Sequence, residues 1–453
     1  MAEENAKRLI GKYADLVLGR GGISGELYAK YEIKRGLRDV SGKGALVGLT
    51  EISEIVSYIT EDGDYVPCEG KLFYSGINID EIVRGFLDGS RRFGFEETTF
   101  LLLFGHLPNE REFADFLGLL EYSCALPENF LRDAIMAAPS KDMMNSLSRS
   151  ALALHAYDDD PDDISIANVV RQSISLIARL PQMAIYGYQA FARSRCGQSL
   201  AVYPSQPGLS IAENFLHMMR ADSKYSKLEA EVLDIALMLH AEHGGGNNST
   251  FTAHVVTSSH TDTYSAVAAA LCSLKGPRHG GACVKVAQMF QDIREKVRDW
   301  NDDDEIAAYL EKIIAKEAFD RAGVVYGIGH SVYSLSDPRA LIFKHFVEQL
   351  AYEKGRGDEY ALHARIEELA PAAIGRARRI YKGVSANIDF YSGFAYDLLG
   401  LPRELFTPLF AVARVSGWCA HRVEELANSG KIIRPAYKSV AKQRYYMPMG
   451  ERS

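Results

Sequence analysis

Three short segments carry the residue types that acid–base chemistry needs. They are Gly-Pro-Arg-His-Gly-Gly around His279, Gly-Ile-Gly-His ending at His330, and Asn-Ile-Asp ending at Asp389. Each segment places a histidine or a carboxylate beside glycines or turn-forming residues, and glycine lets a backbone and a ligand approach closely. A base, an acid and a hydrogen-bond donor brought together suit the removal of a proton next to a carbonyl group.

A fourth candidate segment follows a helical pattern that runs from Lys227 to His243 and stops at three glycines. His240 and His243 are spaced i, i+3, as in some metal sites, but no cysteine or second close carboxylate completes a ligand set. One core histidine and one exposed at the helix end is the ordinary alternative. Asn247 and Ser249 follow the glycines, and such side chains bind carboxylate or carbonyl oxygens. No metal is expected here, and anion binding fits His243 better.

Each candidate also has a structural alternative when it is taken alone. A histidine in a turn, such as His279, is usually structural or solvated. Asp389 precedes a helical pattern and could be its N-terminal cap. Arg414 lies on an otherwise apolar helix face, where an unpaired cation is costly. It therefore needs an anionic partner, either a protein carboxylate or a ligand.

Together these segments resemble the citrate synthase family. The resemblance rests on the pattern G-P-x-H-G at His279, on G-x-G-H followed by Asp-Pro-Arg ending at Arg339, and on Asp389 before Phe-Tyr-Ser-Gly. It extends from about Tyr65 to about Tyr437. The sequence departs from the family pattern at Cys283, where many members have Asn, and in the tail that follows Pro435.

The resemblance implies a role for each candidate residue. Asp389 would be the general base, His279 would donate to the thioester oxygen of acetyl-CoA, and His330 would donate to the carbonyl of oxaloacetate. Oxaloacetate would be bound by His243, Asn247, Arg339, Arg414 and Arg434, the last acting in the active site of the neighbouring subunit. Ser249 would orient His279. Lys382 would contact the phosphates of coenzyme A, with an exposed surface lysine as the alternative.

The resemblance also implies a mainly α-helical, two-domain fold with a small N-terminal β element. The expected boundaries are residues 1–280 for the first part of a large helical domain, 281–385 for a small helical domain, and 386–453 for a return segment. Helical periodicity dominates the chain. The strand-like runs Ile55–Ile59 and Lys71–Tyr74, with a turn at Asp62, are the only convincing β signal. Pro181 lies inside a long apolar helical pattern and predicts a kink or break.

Composition narrows the class of protein. The chain has 453 residues, of which 47% are hydrophobic and 24% charged, with a formal net charge of −8. These values are typical of a globular protein of more than one domain, and the negative charge argues against a nucleic-acid or membrane-surface partner. Six scattered cysteines without a C-x-x-C pair, and an acidic N-terminus unlike a signal or transit peptide, lead us to expect reduced thiols and a cytoplasmic location.

The implied activity is the condensation of acetyl-CoA with oxaloacetate and water to give citrate and CoA, a reaction of the tricarboxylic acid cycle. The implied enzyme is a homodimer without metal or redox cofactor, in which the coenzyme A thioester is a substrate. The alternative is a 2-methylcitrate synthase that uses propionyl-CoA, since one methylene changes discrimination by only about 1–3 kcal/mol. A non-catalytic homologue that binds dicarboxylate or CoA is a further alternative.

Overall fold

The computed structural model describes residues 26, 30, 44–61, 64–330, 332–378, 383–428 and 430–452. The turn predicted at Asp62 and the coenzyme contact predicted for Lys382 lie outside these residues. The chain divides into two units, Met1–Leu49 and Thr50–Ser453, and the sheet, the helices that follow it and the candidate site residues belong to the second.

A small antiparallel sheet opens this unit. Its strands are β1 (Ser53–Glu61), β2 (Asp64–Tyr74) and β3 (Ile77–Asn78), in the order β1-β2-β3. Ile55 pairs with Leu72, and the register shifts between Val56 and Tyr58. The predicted β element is therefore confirmed.

Helices form most of the rest of the unit. They are α1 (Ile79–Asp88), α2 (Gly94–Phe104), α3 (Glu110–Ser123), α4 (Met143–Ala153), α5 (Ile166–Cys196), α6 (Ile211–Met219), α7 (Lys227–His240), α8 (Asn248–Thr257), α9 (Thr263–Leu274), α10 (Ala282–Lys296), α11 (Asp303–Ile314), α12 (Pro338–Glu353), α13 (Gly357–Arg378), α14 (Ile388–Leu398) and α15 (Phe406–Ala427). The described residues also form a π-helical turn (Leu131–Met136) and 3₁₀ turns at Leu154–Tyr157, at Arg403–Leu405 and, after α15, at Met449–Glu451. The mainly α-helical fold is confirmed.

Helix ends follow from local side chains. Asn109 begins α3 with a capping box, because its side chain accepts from the backbone N–H of Glu112 and the Glu112 carboxylate accepts from the backbone N–H of Asn109. Ser226 and Glu229 form the same arrangement at the start of α7. At the other end of α2, Gly105 adopts φ 78°, a left-handed conformation that glycine tolerates best.

Of the kink or break predicted at Pro181, the break does not occur. Helix α5 runs through Pro181 without interruption. A proline in a helix interior removes one backbone donor and costs about 3 kcal/mol. Its neighbours Leu180 and Met183 are fully buried. Burial of apolar side chains along the helix offsets that cost, and this burial depends on tertiary packing that a local pattern does not contain.

The helix predicted for Lys227 to His243 ends three residues early, at His240. The backbone N–H of Ala241 already bonds to the carbonyl of Met238 in a tighter turn, at 3.3 Å. Gly244 then adopts φ 85° and turns the chain. The prediction that His240 and His243 share one helix is therefore wrong, and His243 lies in the loop that follows.

The core is organised around α15, which packs against α2, α5, α7 and α8. Within the described part of the chain, none of the helices has the length and apolar character needed to cross a lipid bilayer. All six cysteines are free thiols.

Candidate active site

The His330 segment is joined by its backbone to the start of α14, which carries Asp389. An isolated antiparallel bridge pairs Ile328 with Ala386. The side-chain amide of Asn387 donates to the carbonyl of Gly329 at 2.8 Å and its backbone N–H donates to the carbonyl of Gly327 at 2.9 Å. Two segments separated by about 60 residues of sequence are thereby held in one place, as the motif resemblance implies.

Glycine is required at position 327 by conformation and by space. Gly327 has φ 81°, and a Cβ atom there would lie 2.9 Å from the Cα atom of Phe390. Both observations show a close approach of the loop to α14, which a side chain would prevent.

The protonation of His330 follows from its backbone contacts. Its Nδ1 atom accepts hydrogen bonds from the backbone N–H groups of Val332 (3.0 Å) and Tyr333 (3.1 Å). An imidazole nitrogen that accepts carries no proton, so the proton of the neutral ring lies on Nε2. His330 is therefore built as a hydrogen-bond donor through Nε2.

His243 packs against the His330 ring. The two ring centroids lie 5.2 Å apart at an interplanar angle of 74°, and Tyr333 packs against both rings. His243 is buried, and its Nε2 atom has no hydrogen-bond partner among the described residues. Burial, with the charges of Arg339 and Arg414, holds the pKa of His243 well below its usual range. A neutral imidazole with an unpartnered buried nitrogen suits a polar ligand.

Arg414 is fully buried. Its Nε donates to the carbonyl of His240 at 2.7 Å, but its two terminal nitrogens have no partner among the described residues. Burial lowers the pKa of Arg414 to about 10, and the charge of Glu242 opposes that effect. Among the described residues, no carboxylate is hydrogen-bonded to Arg414. The structural ion pair that was the alternative for Arg414 is therefore not formed by hydrogen bonds. Two open guanidinium nitrogens match the geometry of a bound carboxylate.

Arg339 begins its helix already paired. Its Nε donates to Asp337 Oδ1 at 3.0 Å and a terminal nitrogen donates to Asp337 Oδ2 at 2.8 Å. Burial alone would lower the pKa of Arg339, but the Asp337 carboxylate outweighs it and raises the pKa. Because α12 begins at Pro338, Asp337 also caps the helix by accepting from the backbone N–H of Arg339. This pairing fixes the direction of the Arg339 fork.

His279 lies in the turn between α9 and α10 and contacts Ser249. Its Nε2 is 2.9 Å from Ser249 Oγ, which also accepts from Trp418 Nε1 at 3.2 Å and donates to Asn247 Oδ1 at 3.0 Å. Ser249 has a single hydroxyl proton, so the proton of the neutral ring lies on Nδ1 only when that hydroxyl turns from Asn247 to donate to His279 Nε2. Burial, helped by the charge of Arg414, lowers the pKa of His279 to about 4, so the ring is neutral near pH 7.

Asp389 lies in the first turn of α14, and the cap of that helix is Asn387. Asp389 is therefore not the N-terminal cap of this helix, because Asn387 has that role. Burial raises the pKa of Asp389 to about 6, against the opposing charges of Arg339 and Arg414. The carboxylate is ionised at neutral pH and more basic than an exposed aspartate. Since the pKa of His279 also responds to Arg414, the same guanidinium lies near both groups.

Two predicted site residues are not part of this cluster in the described chain. Arg434 is exposed in the irregular segment after α15, and no hydrogen bond or ion pair links it to the other site residues described here. Its neighbour Ile433 donates through the backbone to Ser258 Oγ at 3.0 Å. Lys382 lies outside the described residues.

The sequence interpretation missed two groups that the structure adds. Tyr333 packs against both His243 and His330, and its buried hydroxyl has no hydrogen-bond partner among the described residues. Glu242 is buried and pairs with His421 at 3.1 Å. Tyr333 could have been found from the sequence, because it lies three residues after the motif histidine His330. The pairing of Glu242 with His421 could not, because 179 residues separate them.

Among the described residues, His155, Asp162 and Asp262 offer ligand atoms within 4.8 Å of one another. His155 Nε2 bonds to Asp162 at 3.2 Å, and Asp262 caps α9 by accepting from the backbone N–H of Ser265 at 2.7 Å. A divalent cation would have to compete with these bonds. In the described part of the chain, this is the group of side chains whose ligand atoms lie close enough together to hold a metal.

A basic carboxylate, two neutral imidazole donors and buried guanidinium groups can remove a proton next to a carbonyl and stabilise the resulting anion. The cluster has the residue types of an acid–base enzyme with a site suited to carboxylates. A family model described as "Citrate synthase, C-terminal domain" matches residues 39–436. The chain therefore belongs to the citrate synthase family of acyltransferases.

Individual relatives agree with this assignment. The citrate synthase of Synechocystis sp. is 35% identical, over 90% of this chain and 94% of the relative. The 2-methylcitrate synthase 1 of Corynebacterium glutamicum is 30% identical, over 89% and 98%. The solved structure of the ternary complex of carboxymethyl coenzyme A and oxaloacetate with citrate synthase from Thermoplasma acidophilum superposes with a TM-score of 0.74, at 26% identity over 92% of this chain and 98% of that one.

Proposed function

We propose that this protein is a citrate synthase, which condenses acetyl-CoA with oxaloacetate and water to give citrate and CoA. The observation that carries the proposal is the fully buried Arg414, whose terminal nitrogens have no hydrogen-bond partner among the described residues, in the same cluster as His243 and Asp389. A buried unpaired cation is costly unless a ligand supplies the counter-charge. A dicarboxylate supplies it.

The first step is proton transfer from the methyl group of acetyl-CoA to the Asp389 carboxylate. The electrons of the broken C–H bond move towards the thioester oxygen, which becomes an enolate oxygen. The N–H of neutral His279 donates to that oxygen, and a donor already in place where negative charge develops is among the strongest catalytic contributions. Because burial raises the pKa of Asp389 to about 6, the carboxylate is better matched to a weakly acidic proton.

The second step is carbon–carbon bond formation. The enolate carbon attacks the keto carbon of oxaloacetate, whose oxygen receives a proton from His330 Nε2. The proton that Asp389 took up balances the one that His330 gives, and both residues return to their starting states before the next turnover. Arg339 and Arg414, together with His243 and Asn247, bind the carboxylates and the carbonyl group of oxaloacetate. Water then hydrolyses the thioester and releases citrate and the thiol of CoA. Each step uses proton transfer and hydrogen bonding, so the proposal includes no metal or redox cofactor.

The test is thiol release with oxaloacetate and either acetyl-CoA or propionyl-CoA. A value of kcat/KM higher for acetyl-CoA supports the proposal, and thiol release only with propionyl-CoA contradicts it. The second candidate, a 2-methylcitrate synthase, is kept because the relative of that name is 30% identical to this chain. The non-catalytic alternative is supported only if neither thioester is consumed while oxaloacetate still binds.

We further propose that residues 281–385 form a small domain that closes over the rest of the chain when oxaloacetate binds. His330 and Arg339 belong to this range, whereas His243 and Arg414 do not, and one dianion contacting all four would favour the closed state. Calorimetry with a non-reactive acyl-CoA analogue should show tighter binding when oxaloacetate is present. Equal affinities would contradict closure, since coupling between two sites is reciprocal.

A homodimer in which Arg434 serves the neighbouring active site is also part of the proposal. Its support is the exposure of Arg434 and of the apolar side chains that follow it in residues 430–452, among them Tyr437, Tyr445 and Met449. Exposed aromatic and apolar side chains along one extended segment are typical of a segment that docks on another chain.

The six free thiols fit a reducing compartment, and a cytoplasmic location remains our prediction.

A further inference from the structure

A row of four buried or half-buried ionisable side chains lies behind the loop that carries His243. Glu242 Oε1 is 3.1 Å from His421 Nε2, and His421 Nδ1 is 3.1 Å from His254 Nε2. His254 Nδ1 is in turn 2.8 Å from Glu425 Oε2. The side chains of Glu242 and His421 are both 0% exposed. Neither belongs to the reaction proposed above.

Glu242 is held in this place from several directions. Its Oε1 also accepts from Ser53 Oγ of β1 at 3.0 Å. Its backbone carbonyl accepts from the hydroxyl of Tyr74 in β2 at 3.0 Å. Helix α15 approaches most closely at Gly417, where a Cβ atom would collide with Glu242 Oε2 and lie 2.6 Å from the carbonyl of Ala241. A glycine here lets the carboxylate lie directly against the helix.

Arg414 and His421 flank this carboxylate on one face of α15. Positions 414, 417 and 421 follow the i, i+3, i+7 spacing of a single helix face. The charge of Glu242 acts on Arg414 as well as on His421. The carboxylate nevertheless bonds to His421, and its Oε2 atom and both terminal nitrogens of Arg414 have no hydrogen-bond partner in the described chain. The two possible cationic partners thus compete for one carboxylate.

The ionisation states support this arrangement. Burial alone would raise the pKa of Glu242, but the charge of His421 lowers it to about 2. Burial alone would lower the pKa of His421, but Glu242 raises it to about 9. Among the described residues, the other titratable groups in contact with His421 are His254 at 3.1 Å and Glu424 at 3.8 Å. Near pH 7 the pair is therefore an imidazolium and a carboxylate.

We propose that His421 is a positioning residue: by pairing with Glu242 it holds that carboxylate off Arg414, so that the two guanidinium nitrogens remain open for the dicarboxylate substrate. This inference rests on the proposed function. A pair kept only for stability would be hard to explain, because well-packed apolar residues often replace buried ion pairs without loss. Loss of His421 would leave Glu242 with one remaining cation, Arg414, and oxaloacetate would have to displace it.

The test compares His421→Asn, Glu242→Gln and the double variant with the wild-type protein. For His421→Asn we expect the KM for oxaloacetate to rise about tenfold or more, with kcat at saturation and the KM for acetyl-CoA changed by less than about threefold. The double variant removes the competing carboxylate, so its KM for oxaloacetate should return to within about threefold of wild type. A purely structural role predicts a double variant at least as impaired as the single one.

The matched control is Glu229→Gln, which removes another buried carboxylate, paired with Arg220 at 2.7 Å, and should leave the KM for oxaloacetate unchanged. Circular dichroism checks that each variant folds. If His421→Asn does not fold, the wild-type protein and the double variant are compared between pH 7 and about 10. The KM for oxaloacetate should then rise more steeply in the wild type, because only there does loss of the His421 proton release Glu242.

Two results would overturn the proposal. One is an unchanged KM for oxaloacetate in folded His421→Asn, and the other is a double variant no better than the single variant. Calorimetric titration of oxaloacetate without acyl-CoA gives the same comparison independently of turnover. If the wild-type protein binds oxaloacetate but consumes no acyl-CoA, the proposed function fails while the role of His421 is still tested.

Discussion

At the scale of single residues, the chemistry depends on proton positions that neighbours impose. The backbone N–H groups of Val332 and Tyr333 fix the tautomer of His330, and Ser249 can do the same for His279. Burial then sets which groups are charged: His279 is neutral and Asp389 is ionised but basic. The motif residues alone would not have these states in water. The surrounding structure therefore supplies much of the catalytic function.

We predict that Asp389→Ala lowers kcat by about 10²–10⁴-fold, the usual contribution of a general base. Removing the His279 donor with His279→Ala should lower kcat by about 10²–10³-fold. Both are measured by thiol release at saturating oxaloacetate, with circular dichroism as a check of folding. A folded Asp389→Ala protein with nearly wild-type turnover would show that another group is the base.

The pH dependence of kcat/KM should reflect the same carboxylate. Asp389 must be ionised to accept a proton, and burial raises its pKa to about 6. Activity is therefore lost as pH falls through about 6 and is restored as pH rises above it. The measurement is kcat/KM for acetyl-CoA between pH 4.5 and 8 in buffers of constant ionic strength. If kcat/KM instead falls only near the ordinary pKa of aspartate, either burial does not raise the pKa of Asp389 or Asp389 is not the base.

At the scale of elements, the sheet supports the His330 loop. Gly70 of β2 donates through its backbone to Ser336 Oγ at 3.1 Å, and Glu69 also bonds to Ser336. A Cβ atom at Gly70 would collide with the Ser336 carbonyl and lie 2.7 Å from Cδ1 of Tyr333, whose ring packs on His243 and His330. The β element thus helps to set the separation of the two histidines.

We predict that Gly70→Ala raises the KM for oxaloacetate several-fold, because the added methyl group displaces Tyr333 and with it the histidine rings. Gly118→Ala is the matched control: this glycine lies inside α3 with no atom within 4 Å of an added Cβ, and the change should stabilise the protein by about 0.5–1 kcal/mol. Steady-state kinetics and thermal unfolding of both variants provide the comparison. Equal KM values in Gly70→Ala and wild type would show that the contact does not position the site.

The start of α2 gives the fold a dependence on pH. Asp234 accepts from the backbone N–H of Phe95 at 2.7 Å, and the nearby Glu96 is also buried. Burial and the nearby charge of Asp234 raise the pKa of Glu96 to about 8. A carboxyl group whose pKa is higher in the folded state binds more protons there, so stability falls as pH rises from about 4.5 towards about 8.

Glu96→Gln should therefore raise the unfolding temperature at pH 8.5, relative to wild type, more than it does at pH 5. The control is Glu81→Gln, which changes an exposed carboxylate of α1 and should show no such difference between the two pH values. Calorimetric or circular-dichroism melts provide the measurement. A wild-type unfolding temperature that does not fall between pH 5 and 8.5 would contradict the prediction.

The sequence predicts the features that depend on local patterns better than those that depend on contacts between distant parts of the chain. The β element and the helical class are confirmed because their signals are local periodicities. The end of α7 was misplaced because the helical pattern continues past His240, whereas the turn at Gly244 and the packing of Glu242 on α15 decide where the helix stops. The His421 pair could not be predicted, since no local pattern links residues separated by 179 positions.

At the scale of the whole molecule, we predict that Arg434 completes the active site of the neighbouring subunit, and mixing two inactive variants tests this. Asp389→Ala and Arg434→Ala are each expected to be inactive, but mixed dimers should contain one site with both defects and one with neither. Random exchange makes about half of the dimers mixed, so about a quarter of all sites should recover activity. Native mass spectrometry confirms exchange. No recovery after confirmed exchange would show that Arg434 does not complete a neighbouring site.

The two open nitrogens of Arg414 also have a consequence for heat resistance. A charge buried without a partner weakens the ligand-free fold, and the ligand that neutralises it repays that loss on binding. A dicarboxylate at about 100 times its dissociation constant adds about 2.7 kcal/mol to the free energy of unfolding. The enzyme would thus resist heat and proteolysis best when its substrate is abundant. Its survival, as well as its rate, would then follow the supply of oxaloacetate.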